Sequence, residues 1–258
     1  MANKHGDFIW YELLTSDADA AQAFYGPVVG WTFAGSGQAD MDYRIINAAE
    51  HSIGGLMAIT PEMAEHGARP AWLGYIAVDD VDTSVAAIID SGGRVLMPAM
   101  DIAHVGRIAM ITDPQGVPFY VMHPSGEGES LAFAYDQPRL GHCVWNELVT
   151  TDQAGAWSFY GARFGWVMDG EMDMGAMGKY QFIRHGAVLG AIMPATPEMG
   201  PPRWNQYFRV ADIDAAKAAI DAGDGSVING PMEIPGGDYA LNGIDPQGAH
   251  FGLVGSRV

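Results

Sequence analysis

The chain has 258 residues, 48% of them apolar, and carries 31 Asp and Glu against 13 Lys and Arg, a formal net charge of −18. That balance argues against nucleic acid and against anionic membrane surfaces, since both need a basic patch, and it favours solubility over a specific cationic partner. One cysteine, Cys143, excludes an internal disulfide and fits a reducing compartment. The N-terminus lacks a signal-like apolar core and no run approaches membrane-spanning length, so a cytoplasmic location is expected.

The first predicted element is an alternating strand at 8–15, followed by a helix from about Asp17, the expected N-cap, to Tyr25. Gly26-Pro27 and Gly30 break that helix. Strands follow near 31–35, 41–48 and 53–59. A second module opens with a strand at 72–78 and a helix from Val81 to Asp90, stopped by Ser91-Gly92-Gly93. Strands near 94–97, 107–112 and 117–122 complete it. The polar, Gly-rich run from Pro124 to Ser130 reads as interdomain linker. Beyond it the scheme returns, with strands near 143–150 and 204–210 and helices near 152–161 and 212–222.

That return is a duplication. Phe8 through Asp17 is answered by Cys143 through Asp152, and Phe24-Tyr25 and Gly30-Trp31 by Phe159-Tyr160 and Gly165-Trp166. Val78 through Asp82 matches Val210 through Asp214, and Asp113-Pro114-Gln115-Gly116 matches Asp245-Pro246-Gln247-Gly248. A period this long marks a duplicated domain rather than a solenoid. The expected organisation is a first domain at 1–128, a linker at 129–140 and a second domain at 141–258. The fold class is α+β, with tandem domains, each of two paired β-α-β-β-β modules forming curved mixed sheets around a cavity. A single helix covers only one face of its sheet, so the other face is where chemistry is expected.

The order and spacing of these segments, seen twice, resemble the vicinal oxygen chelate superfamily: glyoxalases, bleomycin-resistance proteins, fosfomycin-resistance enzymes and extradiol dioxygenases. Trp-x-Glu-Leu at both first strands looks most like a two-domain glyoxalase-like branch. The resemblance implies a small-molecule ligand and lyase- or isomerase-type chemistry, and it also implies where metal ligands would lie. In this chain those positions hold Trp10, Leu73 and Tyr120 in the first half, and Trp145, Asn205 and Gly252 in the second. Only Asn205 offers an oxygen, so the usual metal site is expected to be lost in both halves and no cofactor is expected. A divalent metal held by displaced ligands is the alternative.

Strand alternation places Trp10, Glu12 and Leu14 on the face away from the helix, and likewise Trp145, Glu147 and Val149. The same parity adds Leu73, Tyr75 and Tyr120, then Asn205, Tyr207, Arg209, His250 and Gly252. Glu12 and Glu147 are the sharpest catalytic candidates, because partial desolvation raises a carboxylate towards general-base range. The competing reading is a carboxylate hydrogen-bonded to hold the domain interface. Trp10, Tyr75, Tyr120, Trp145 and Tyr207 suit the wall of an aromatic-ligand pocket or simple filling between sheets. Asn205, Arg209 and His250 make the second half the more polar, and therefore the first place to look for a working site. His51 and His185 read as hairpin-turn residues, and Trp72 and Trp204 as core or interface. Methionines at 168, 172, 174 and 177 suggest either a lid or a hairpin. No phosphate loop, dinucleotide fingerprint or nucleophile elbow is present. Two function classes follow: a glyoxalase-like protein using a glutamate as base without the metal, or a non-catalytic protein that sequesters a small molecule. The oligomeric state is expected to be monomer or homodimer.

Overall fold

A computed structural model describes residues 3–37, 41–126 and 128–258; of the expected linker run, Glu127 lies outside the described residues. The fold is α+β, built from four β-α-β-β-β modules with curved mixed sheets. The first module comprises β1 (Phe8–Thr15), α1 (Ala18–Val29), β2 (Thr32–Gly35), β3 (Tyr43–Ala48), β4 (His51–Ala58) and a short α2 (Pro61–Glu65). The second has β5 (Ala71–Ala77), α3 (Val81–Asp90), β6 (Arg94–Ile102), β7 (Gly106–Thr112) and β8 (Pro118–Pro124). The duplicated pair supplies β9 (Cys143–Thr150), α4 (Gln153–Phe164), β10 (Val167–Asp173), β11 (Lys179–His185) and β12 (Ala187–Pro194). It ends with β13 (Arg203–Asp212), α5 (Ile213–Ala222), β14 (Ser226–Glu233), β15 (Tyr239–Ile244) and β16 (His250–Ser256).

Within each module the first strand runs parallel to the last, and the other pairings are antiparallel. Thus β1 pairs with β4, β5 with β8, β9 with β12 and β13 with β16 in parallel. Parallel pairing requires a crossover, and the helix of each module supplies it.

Each of the four long helices starts at an aspartate cap, of which Asp17 is the one expected from the sequence. Asp17 accepts from the amide of Ala20, Asp80 from Thr83, Asp152 from Gly155 and Asp212 from Asp214. One boundary differs from expectation: α1 continues through Gly26-Pro27 to Val29. Its last turn buries Val28 and Val29, and Gly30, at φ 87°, ends it by returning its amide to the Gly26 carbonyl. That packing and left-handed cap outweigh the helix hydrogen bond lost at Pro27. Strand β6 also runs past Pro98 to Ile102, with register shifts flanking the proline that release its missing N–H from the ladder.

The compact units of the structure interleave the two sequence halves. One unit consists of residues 3–9, 73–126, 128–130 and 145–204; the other consists of 10–37, 41–72, 131–144 and 205–258. Each therefore combines the first module of one half with the second module of the other. In the second-named unit α1 packs on α5, and in the first-named unit α3 packs on α4.

The repeated sequence segments explain this pairing. Asp245, in the Asp-Pro-Gln-Gly turn of the second half, accepts from the amides of Gln247 and Ala249, and its other oxygen accepts from Tyr25 Oη at 3.0 Å. Trp72 Nε1 donates to the same tyrosine oxygen at 2.9 Å. In the other unit Asp113 likewise accepts from Gln115, Val117 and Tyr160, while Trp204 donates to Tyr160. Trp72 and Trp204, expected in core or interface, are thus buried members of the unit cores. Around Tyr25 pack Trp31, Phe251 and Phe24, and around Tyr160 pack Trp166, Phe119 and Phe159. Burial pushes Tyr25 and Tyr160 well above the ordinary phenol range, with the charge of the partner aspartate adding to it.

Candidate functional site

Alternation along β1 turns Tyr11, Leu13 and Thr15 towards one face and Trp10, Glu12 and Leu14 towards the other. Tyr11 meets Phe208 edge-on at 6.0 Å in the unit core. On the opposite face Trp10 Nε1 donates to Tyr43 Oη at 3.0 Å, and Tyr43 is hydrogen-bonded to Glu12. Tyr43 comes from β3, and Glu12 lies across from Gly55 of β4. The tyrosine ring crosses directly over that glycine: a Cβ there would fall 2.0 Å from Tyr43 Oη, so only glycine fits beneath it. Glu12 is 2% exposed.

The second half builds the same chain of donors. Trp145 Nε1 donates to Tyr180 Oη at 2.7 Å, and Tyr180 donates to Glu147 Oε2 at 2.8 Å. Trp145 and Tyr180 lie nearly parallel, 4° apart with centroids at 6.4 Å, and Phe182 meets both edge-on. Glu147 is 8% exposed.

Each set is an ordered donor sequence. An indole N–H only donates, so the tyrosine oxygen accepts it and directs its own single proton to the carboxylate. Burial, and then the charge of Glu12, hold Tyr43 well above the usual phenol range, so it stays a donor. Sequence reading found both tryptophans and both glutamates but missed Tyr43 and Tyr180. The signal was present in the repeat: Tyr43-Arg44 and Tyr180-Gln181 occupy equivalent positions after the variable β2 and β10 hairpins.

The remaining candidates fall in separate surroundings. Tyr75 of β5 pairs with Tyr120 of β8, and their rings stack at 4.1 Å and 13°. In the duplicate, Tyr207 of β13 pairs with Gly252 of β16, where a Cβ would lie 2.3 Å from the Tyr207 ring. Asn205 and Tyr207 are buried. Arg209 forms a two-pronged ion pair with Asp238, which also accepts from Ser256. His250 opens β16 opposite Ile244. His51 and His185 border the β3–β4 and β11–β12 hairpins, and His51 Nε2 lies 3.1 Å from Arg139. Met168 and Met172 lie on the exposed strand β10, with Met172 opposite Tyr180.

The positions that the family resemblance assigns to metal ligands carry an indole, an aliphatic or amide side chain, and a tyrosine or glycine. That donor set does not fit a divalent cation, which needs imidazole and carboxylate groups. Among the described residues, no group of three or more His, Cys, Asp or Glu side chains is placed to hold a metal ion. Among them, too, no helix is long and apolar enough to cross a membrane.

The model of the Glyoxalase/Bleomycin resistance protein/Dioxygenase superfamily matches residues 8–121 and again 139–253. The chain is 34% identical over 254 residues to "Putative glyoxylase CFP32" of Mycobacterium bovis, covering 95% of this chain and 93% of that protein. It is 31% identical over 261 residues to "Anthracycline biosynthesis protein DauV" of Streptomyces sp. strain C5, covering 96% and 92%. Among solved structures, a variant of homoprotocatechuate 2,3-dioxygenase from B. fuscum in complex with HPCA superposes with a TM-score of 0.68 at 16% identity. That match covers all of this chain and 73% of the dioxygenase.

Proposed function

The chain belongs to the glyoxalase/bleomycin resistance protein/dioxygenase superfamily, and from that premise we propose that it binds a small organic molecule and uses Glu12 or Glu147 as a general base in place of the family's metal. The observation that carries this reading is the Trp–Tyr–Glu donor chain, built twice. Trp10 and Trp145 stand where metal-dependent relatives place their first ligand, and from each a line of hydrogen bonds runs to a buried carboxylate. A site that has exchanged imidazole for a fixed donor chain has the parts for proton transfer.

The reaction class is proton abstraction next to a carbonyl. The glutamate takes the carbon-bound proton, the carbonyl oxygen takes the electron pair as an enolate, and return of a proton at the same or a neighbouring carbon completes an isomerisation or exchange. In the unit that holds Glu147, Tyr75 and Tyr120 offer aromatic surface for a planar ligand; in the unit that holds Glu12, Tyr207 offers it, with Asn205 and His250 as polar contacts. Two relatives carry names from small-molecule metabolism, glyoxylase and anthracycline biosynthesis, which supports a small organic ligand.

The test is deuterium exchange in D2O across a panel of aryl and alkyl α-hydroxy- and α-dicarbonyl compounds, followed by proton NMR. Exchange above the buffer rate that falls about 100-fold or more in Glu12→Gln or Glu147→Gln supports the proposal. Ligands that bind and return unchanged, with affinity intact in both variants, would replace it with non-catalytic sequestration.

A further inference from the structure

We propose that the segment leading into the second half, residues 131–142, is an acid-sensitive strap: at mildly acidic pH a proton on His142 releases it from β13 and from Trp31, while the equivalent strap of the first half holds. This is independent of the base role assigned above.

The strap is built twice. In the second-named unit Gly141 donates its amide to the Arg209 carbonyl, and Arg209 donates back to the carbonyl of His142. Trp31 Nε1 donates to the Gly141 carbonyl at 2.8 Å. In the first-named unit Gly6 donates to Ala77, Ala77 donates back to Asp7, and Trp166 Nε1 donates to Gly6 at 2.9 Å. The residue after each glycine then meets the histidine of a hairpin, and there the copies part.

In the first copy Asp7 Oδ1 lies 3.6 Å from His185 Nε2, and the neighbouring His5 Nδ1 lies 3.8 Å from Asp79. Each imidazole faces a carboxylate, so an added proton finds a counter-charge. In the second copy the place of Asp7 is taken by His142, 2% exposed, whose ring meets His51 edge-on at 5.7 Å. Arg139 Nη1 lies 3.1 Å from His51 Nε2, and a guanidinium only donates, so that nitrogen presents its lone pair. His142 Nδ1 donates to the Leu131 carbonyl, which leaves Nε2 for an incoming proton. The titratable groups that face His142 are His51 from β4 and Arg139 from the strap itself, both basic. Burial holds His142 below the ordinary imidazole range against the pull of its bond to Leu131, and His51 and Arg139 add to the effect. A group lowered in this way binds its proton more weakly folded than unfolded. The strap is therefore fully held above about pH 6.5 and weakens as pH falls from there towards the folded value.

Amide hydrogen exchange reads both straps in one molecule. From about pH 7.5 to about pH 5, protection at the Gly141 and Arg209 amides is expected to fall about tenfold relative to that at Gly6 and Ala77, the internal reference. His142→Asn keeps a donor for Leu131 and cannot take up a proton; its ratio is expected to stay constant across the range. A parent protein whose ratio stays constant would overturn the proposal, as would a folded His142→Asn protein whose ratio falls as the parent's does. If that variant fails to fold, Arg139→Gln removes one opposing charge and is expected to reduce the fall. An unchanged fall there counts equally against the proposal.

Discussion

The two copies of the donor chain share their parts and differ in their supports. In the first, the Tyr43 ring presses onto Gly55, and Glu12 is nearly sealed from solvent. In the second, Glu147 lies opposite Ala191 rather than a glycine, and Tyr180 is flanked by Phe182 and by Met172 on the exposed strand β10. The second modules of the two halves diverge further. Tyr75 and Tyr120 stack in the first copy, whereas Gly252 of the second yields its place to the Tyr207 ring. The hydrogen-bond order therefore recurs while its packing does not. What the two copies retain in common is a carboxylate at the end of a donor chain, and what they vary is how tightly it is enclosed.

The largest test of this contrast changes the side chain at the third family position in each copy. Gly252→Glu drives a Cβ to within 2.3 Å of the Tyr207 ring and buries a carboxylate beside it. It is expected to destabilise by about 3 kcal/mol or more in urea unfolding, by overpacking plus desolvation. Tyr120→Gly, which copies the second half into the first, opens a cavity against Tyr75 and is expected to cost about 3–5 kcal/mol. If either variant unfolds like the parent, the two copies are interchangeable there and the contrast is lost.

Next in size are the tyrosine–aspartate links. Tyr25→Phe or Tyr160→Phe leaves a buried aspartate oxygen and an indole N–H without their phenol, at a cost of about 1–3 kcal/mol each at neutral pH. The sign with pH follows from the raised phenol pKa values. The unfolded tyrosine loses its proton at about pH 10 while the folded one keeps it, so the native state binds more protons above that point. The contribution is fully present below about pH 10 and is lost as pH rises through the folded value. Parent protein should therefore lose stability steeply in alkali, and each Phe variant should show a shallower decline, measured by denaturant midpoints from pH 7 to 11.

The smallest effect belongs to the indoles. Trp10→Phe and Trp145→Phe each remove one part-buried donor and are expected to cost about 0.5–1.5 kcal/mol by the same unfolding measurement. The first copy should suffer more, because its tyrosine has less room to find another partner.

Much of the architecture was legible in the chain. Alternation gave the faces of β1 and β9, and the aspartate cap at 17 gave the start of the first helix, because both are local properties. The interleaving of the halves was not legible: the links from Tyr25 to Asp245 and from Tyr160 to Asp113 join residues far apart in sequence, and each of them reads alone as a helix or turn residue. For the site, period 2 located the tryptophans and glutamates. Tyr43 and Tyr180 escaped because they lie on β3 and β11, after hairpins whose lengths differ between the copies, and pairing across strands, rather than along one, brings them to the glutamates.

The most direct test of the central claim is deuterium exchange at the carbon next to the ligand carbonyl, measured after exhaustive dialysis against a chelator. The account predicts that exchange persists in the stripped protein and disappears in Glu12→Gln or Glu147→Gln. Exchange that vanishes on chelation, returns with a stoichiometric divalent metal and survives both Gln substitutions would contradict it.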